Sequence, residues 1–191
     1  TDTDPVLRAT DIELEDALNS VSFDLHEGEI FGIVGVEGCG KSELGRVLCG
    51  ADAPDSGRIH VDGEPIEPGA LFRMVDAGVG YIPKDRKSEG LLLYQSLRVN
   101  VSLPSIGTDL VSDDLPVIGT LLSLVDRDKE NRLSERAIEE LNIRAPGVET
   151  LVHQLSGGNQ QKVVLAKWLQ RQSDVLVMDN VTRGIDVAAK E

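Results

Sequence analysis

With 191 residues, 40% of them hydrophobic, the chain has enough apolar material for one domain of ordinary size with a subdomain attached. Its 33 acidic residues outnumber 19 basic ones, and the formal net charge of -14 argues against general attraction to DNA, RNA or anionic lipid. No apolar run approaches the roughly 20 residues that a membrane-spanning helix needs. Neither Cys39 nor Cys49 belongs to a C-x-x-C pair, which fits a reducing compartment, and Thr1-Asp2-Thr3-Asp4 is unlike a signal sequence.

Val6 to Leu25 reads as short strands around a polar turn at Asn19 and Ser20, with Val21 to Leu25 alternating as a half-exposed antiparallel strand. Ile30-Phe31-Gly32-Ile33-Val34 is an apolar run that predicts a buried strand. Next comes Gly35-Val36-Glu37-Gly38-Cys39-Gly40-Lys41-Ser42, which fits the phosphate-loop pattern G-x-x-x-x-G-K-[ST]. From Glu43 the spacing of Leu44, Val47 and Leu48 predicts a helix. Glycines let consecutive backbone N–H groups turn onto phosphate oxygens, Lys41 supplies a charge for the outer phosphates, and Ser42 offers a hydroxyl to Mg²⁺. The helix start adds roughly half a positive elementary charge. Taken alone, the same eight residues also fit a chance glycine-rich turn before an amphipathic helix.

Gly57 to Gly63 predicts a brief strand, Ala70 to Ala77 a short helix, and Gly78 to Pro83 a second core strand stopped by proline. The charged run Lys84 to Gly90 reads by composition as a solvated loop. Leu97 to Leu141 carries helical signals broken at Pro104, Gly107, Pro116 and Gly119. Its clearest helix, Arg127 to Leu141, has Leu133, Ala137, Ile138 and Leu141 on one stripe.

Leu155-Ser156-Gly157-Gly158-Asn159-Gln160-Gln161 precedes a helix of buried pattern over Lys162 to Leu169. Ser156 caps that helix, and the two glycines expose N–H groups to an anion. Val175 to Asp179 predicts a buried strand ending in a carboxylate, and ligand chemistry gathers beyond the carboxyl ends of parallel strands. Asp179 is thereby a candidate to hold Mg²⁺ through water. Trp168, on a helix of apolar pattern, reads as core.

In this order the motifs resemble those of the ATP-binding subunits of ABC transporters. Gly35 to Ser42 matches Walker A, Leu155 to Gln160 the ABC signature, Val175 to Asp179 Walker B, and Gly184-Ile185-Asp186 the D-loop. The resemblance implies an α/β P-loop NTPase core with a mostly parallel sheet, an N-terminal antiparallel β-subdomain and an inserted α-helical subdomain over 97–151, all in one domain 1–191 truncated before the H-loop. Tyr81 to Leu91, with its Asp85-Arg86-Lys87, and Asn159 to Val163 are similar to the second, C-terminal half of bacterial monosaccharide and nucleoside importers.

The family pattern implies ATP and Mg²⁺ as cofactors, with Gly35 to Glu43 on the nucleotide and Ser42 and Asp179 on the metal. It implies a second nucleotide-binding domain on the same polypeptide, whose ATP is covered by Leu155, Ser156, Gly157, Gly158, Asn159, Gln160 and Asp186 of this one. Transmembrane permease subunits and, indirectly, a solute-binding protein are the other implied partners. They would place the chain in the cytoplasm, peripheral on the inner face of the membrane.

Three positions depart from the family. Asn180 follows Asp179 where a glutamate usually orients or deprotonates the attacking water, and an amide cannot accept that proton at neutral pH. Natural degeneracy of the site is favoured over an engineered trap, which usually keeps side-chain length with Gln. Lys84 occupies the Q-loop position, where a cation either meets the γ-phosphate or is merely solvated. No aromatic residue precedes Phe23 for stacking on adenine. Asp186 and Arg183 read as interface or switch residues, and for Arg86 interface and plain surface roles stay open.

Overall fold

The computed structural model of the chain describes residues 4–106, 110 and 125–180. It divides into two compact units, Thr1–Pro83 with Ser173–Asp179, and Lys84–Gln172 with Asn180–Glu191.

In the first unit, β1 (Leu7–Leu14), β2 (Leu18–Leu25), β3 (Ser56–Val61) and β4 (Glu64–Ile66) form an antiparallel sheet in the order β2-β1-β3-β4. Leu7 and Ala9 point into the core, and then a register shift moves the inward positions to Ile12. Asp11 sits at that shift with φ 50; its N–H donates to Ser22 Oγ at 2.8 Å and its carboxylate accepts from Ser20 Oγ at 3.0 Å. The turn between β1 and β2 lies at residues 15–17, with Asp16 at φ 61, and not at Asn19-Ser20 as expected. Aspartate tolerates the left-handed region because its short carboxylate can bond locally, so Asp16 accommodates the reversal and leaves Asn19 and Ser20 in the strand.

Helix α1 (Lys41–Leu48) buries Leu44, Val47 and Leu48, the stripe its spacing predicts. These pack with Leu7, Ile12, Ile59, Met74, Val79 and Val175 in one apolar core, where each fully buried large side chain contributes roughly 1.5–3 kcal/mol. Met74 comes from the short helix α2 (Leu71–Asp76). Strands β5 (Val79–Ile82) and β6 (Val175–Met178) pair in parallel, Val79 opposite Val175 through Ile82 opposite Met178. A Cβ added at Gly45 would lie 3.2 Å from Tyr81 Cε2 and 3.7 Å from Val177 Cγ1, so α1 rests directly on this pair.

The expected buried strand at Ile30–Val34 is absent. The segment belongs to neither sheet, and Ile30 and Val34 are 98% and 95% exposed. A strand exists only through neighbours that take its backbone hydrogen bonds, and no described strand pairs with this segment. Phe31 instead stacks on Phe23, ring centroids 5.0 Å apart.

The second unit is helical. Helix α3 (Leu97–Ser102) is capped by Ser96, which accepts from the Val99 N–H, and a 3₁₀ turn, Leu103–Ser105, follows it. Helix α4 (Arg127–Glu140) is capped by Asp126, and α5 (Gly157–Gln170) by Ser156. The buried face of α4 carries Glu130, Ser134 and Ala137, so the expected stripe is corrected: Leu133 and Ile138 are only half-buried. Glu130 is drawn inward by Arg98 of α3, with which it pairs, and its other oxygen accepts from Ser102 Oγ at 2.6 Å. Arg98 also donates to Glu149 at 3.0 Å. The segment before α3 runs against residues 148–153, with Leu97 N–H donating to Thr150 O at 2.9 Å and His153 N–H to Leu93 O at 2.9 Å. The charged run expected as a loop forms a π-turn, Arg86–Gly90, capped by the Asp85 carboxylate.

Candidate nucleotide-binding site

The glycine loop ends in a geometry that only glycine adopts without strain. Gly40 has φ 90 and is the N-cap of α1, and a Cβ there would run into the Ala17 carbonyl oxygen. Lys41 and Ser42 are therefore the first two helical residues, at the end of the helix where amides lack intrahelical acceptors. The Lys41 ammonium donates to the carbonyls of Gly35 and Val36, each at 2.7 Å, and lies 3.4 Å from Cys39 Sγ. It thus spans the loop from Gly35 to Cys39. Glu37 and Gly38 form the turn at its tip, Cys39 is exposed, and Glu43 sits in the first turn of α1.

Asp179 follows β6 directly, its N–H donating to Ile82 O at 2.9 Å. Its Oδ2 is buried with no hydrogen-bond partner among the described residues. An orphaned carboxylate oxygen in the unit that also presents the Ser42 hydroxyl is the donor chemistry a hard divalent cation takes. The residues present therefore fit Mg²⁺. Asn180, exposed, adopts φ 53, a left-handed conformation that asparagine tolerates.

In the second unit Ser156 Oγ accepts from the Asn159 N–H at 3.4 Å and from Asn159 Nδ2 at 3.0 Å. Asn159 Oδ1 accepts from the Arg144 N–H at 2.9 Å. The Gln160 amide is turned inward, donating to the carbonyls of Val152 and Leu155, each at 3.2 Å. Asn159 and Gln160 thus brace the helix entry, while a Cβ added at Gly158 would meet nothing within 4 Å. The entry is open on its glycine face. Leu155 is buried below it. Lys84 is half-buried and immediately precedes Asp85, whose carboxyl is held below its usual range, chiefly by the Lys87 backbone N–H. Asp186 and Arg183 lie outside the described residues.

Lys41, Ser42 and Asp179 thus belong to the first unit, and the second holds the signature residues. Two features escaped the sequence reading: the buried Arg98–Glu130 pair, and Lys167, whose ammonium donates to Gly90 O at 2.7 Å. Lys167, a charge on an otherwise apolar helix stripe, carried a signal; Arg98 and Glu130, 32 residues apart on faces that hold other polar residues, carried none.

Residues 18–183 match the family model of the ABC transporter. The chain is 40% identical over 172 residues to the "Putative ribose/galactose/methyl galactoside import ATP-binding protein 1" of Agrobacterium fabrum, covering 90% of this chain and 32% of that protein. It is also 40% identical over 185 residues to the "Ribose import ATP-binding protein RbsA 3" of Rubrobacter xylanophilus, covering 97% and 35%. The chain spans about a third of the length of these curated relatives. Among solved structures, the dimeric ATP-binding cassette MJ0796 in a post-hydrolysis state with ADP and Pi superposes with a TM-score of 0.74 at 20% identity, covering 95% of this chain and 77% of that one. That likeness supports the cassette fold, and the family match over residues 18–183 shows that the chain belongs to the ABC transporter family, as an ATP-binding domain.

Proposed function

We propose that this chain binds Mg-ATP as the nucleotide-binding domain of an importer for a sugar of the ribose, galactose or xylose kind, or for a nucleoside. The observation that carries the reading is the left-handed Gly40 that opens α1 on Lys41 and Ser42. Identity to ribose and galactose import ATP-binding proteins supports the substrate class. The protein works with a second nucleotide-binding domain on the same polypeptide, of which this is the C-terminal one. Permease subunits hold it at the cytoplasmic face of the membrane, and a solute-binding protein delivers the substrate to them.

Phosphates lie against the amides of the loop and the start of α1, with Lys41 exchanging its carbonyl partners for phosphate oxygens. Ser42 and Asp179 are the residues that would hold Mg²⁺, which neutralises phosphate charge when bound. The glycine face at Gly157 and Gly158 supplies N–H donors to the nucleotide of the second domain, so ATP acts as the adhesive between the two. Catalysis in such a site is mostly placement and charge neutralisation. Asn180 can hold a water but not take its proton, and loss of a positioned base costs on the order of 10² to 10⁴ in rate. This chain's own site therefore holds ATP more readily than it cleaves it.

The test is ATP turnover and ATP-dependent uptake by the full-length protein with its permease, in membrane vesicles. Loss of nucleotide binding at this site in Lys41→Ala supports the reading, and wild-type protein that binds no ATP here overturns it. Asn180 also favours a second reading, a nucleotide-dependent regulatory or structural module without turnover. Lys41-dependent hydrolysis by this domain alone would exclude that reading.

A further inference from the structure

Helix α5 is among the most deeply buried elements of the second unit: Val163, Val164 and Ala166 are fully inaccessible. On the same helix Lys167 is 8% exposed, although its neighbours Ala166 and Trp168 make an apolar side chain the expected choice. Its ammonium donates to the Gly90 carbonyl at 2.7 Å and lies 5.2 Å from the centroid of the Trp168 ring. Burial pushes its pKa down to about 8, which measures how poorly the site solvates a charge. Burying an ammonium costs free energy unless its bonds repay it, so burial alone does not explain a lysine here. Directionality does. Apolar contacts let a helix slide by fractions of an ångström, whereas one short hydrogen bond to one carbonyl fixes its position along its axis.

Gly90 closes the π-turn Arg86–Gly90, which begins two residues after Lys84. The entry of α5 is braced separately, by Gln160 on the carbonyls of Val152 and Leu155. The helix is thus pinned at both ends within its own unit.

We propose that Lys167 is a positioning residue: its bond to Gly90 ties α5 to the 86–90 turn and so sets where the Gly157-Gly158 amides stand when they meet the second domain's nucleotide. The inference rests on the ATP-dependent pairing proposed above. It gives Lys167 a role in turnover but none in nucleotide binding by this chain's phosphate loop.

The experiment compares wild type, Lys167→Met, Lys167→Arg and Lys41→Ala in the full-length protein with its permease. It measures kcat and KM for ATP, binding of a fluorescent ATP analogue, and melting temperature. Lys167→Met should lower kcat about tenfold while analogue binding stays within about twofold and the melting temperature holds or rises. Lys167→Arg, which keeps a donor, should recover at least about a third of the loss. Unchanged kcat in Lys167→Met overturns the inference, as does a loss that tracks a fall in melting temperature and is equal in Lys167→Arg. If the wild type shows no ATP turnover, or none that Lys41→Ala alters, the ATP-dependent reading fails and the inference fails with it. Turnover that depends on Lys41 but not on Lys167 defeats the inference alone.

Discussion

Lys41 Nζ donates to the Gly35 carbonyl at 2.7 Å, so the cation of the phosphate loop is braced against the loop's own first residue. The brace holds the ammonium across the loop, between Gly35 and Cys39. Exposed hydrogen bonds of this kind contribute little to folding, about 0.5–1.5 kcal/mol each. Lys41→Met should therefore weaken ATP binding by about two orders of magnitude, as read by fluorescent-nucleotide titration, while moving the urea midpoint only slightly. A large stability loss would make Lys41 a structural residue first.

Gly40→Ala should cost stability as well as binding. At φ 90 and with the Ala17 carbonyl in the path of a Cβ, alanine has no relaxed conformation. Strain at such positions is of the order of 1–3 kcal/mol. Urea unfolding should show a loss of that size, together with loss of nucleotide binding as the start of α1 moves.

Asn180→Glu tests the weak-hydrolysis reading. A carboxylate restores a general base, so turnover at this site should rise by about 10² or more. Glutamate is less content than asparagine at φ 53, so a cost of about 1 kcal/mol in stability should accompany the gain. Turnover left unchanged by the substitution would show that Asn180 does not limit it.

The Arg98–Glu130 pair predicts a lopsided mutational response. Both side chains are about nine-tenths buried, at 10% and 9% exposure. Glu130→Ala leaves the buried guanidinium with only the exposed carboxylate of Glu149 and should cost about 3 kcal/mol. Arg98→Leu combined with Glu130→Leu should cost far less, and a double-mutant cycle by urea denaturation separates the two outcomes.

Lys167 makes stability depend on pH in an unusual direction. Its pKa of about 8 lies below the ordinary 10.5 because burial penalises the charge. Below about pH 8 the amine is charged in both states and the native state carries the full penalty. Between about 8 and 10.5 the unfolded chain keeps the proton and the native one releases it, so the contribution of Lys167 to stability rises with pH by up to about 3 kcal/mol. Relative to Lys167→Met, wild-type protein should gain stability between pH 7 and pH 10. A pH-independent gap between the two would contradict this.

What the sequence made legible was local chemistry. Gly40-Lys41-Ser42 and Ser156-Gly157-Gly158 carry their structure in residue type and spacing, and α1 buries the stripe its periodicity indicates. What it hid was partnership over distance. Glu130 looks like a surface charge until Arg98, 32 residues earlier, is seen to draw it inward. The β1–β2 turn was misplaced because Asp16 accepts a left-handed conformation as Asn19 would have done. Asn159 and Gln160 match the signature motif by position, and their local bonds were not legible: Asn159 Oδ1 accepts from the Arg144 N–H, and Gln160 Nε2 donates to Val152 and Leu155.

Ile30 to Val36 has a practical consequence in the test tube. Ile30, Val34 and Val36 stand 98%, 95% and 77% exposed on backbone that belongs to no sheet. Exposed apolar backbone of this kind favours association between molecules at high protein concentration. Clouding on storage would begin there, beside the phosphate loop, so preparations that age would lose nucleotide binding before they lose their helices.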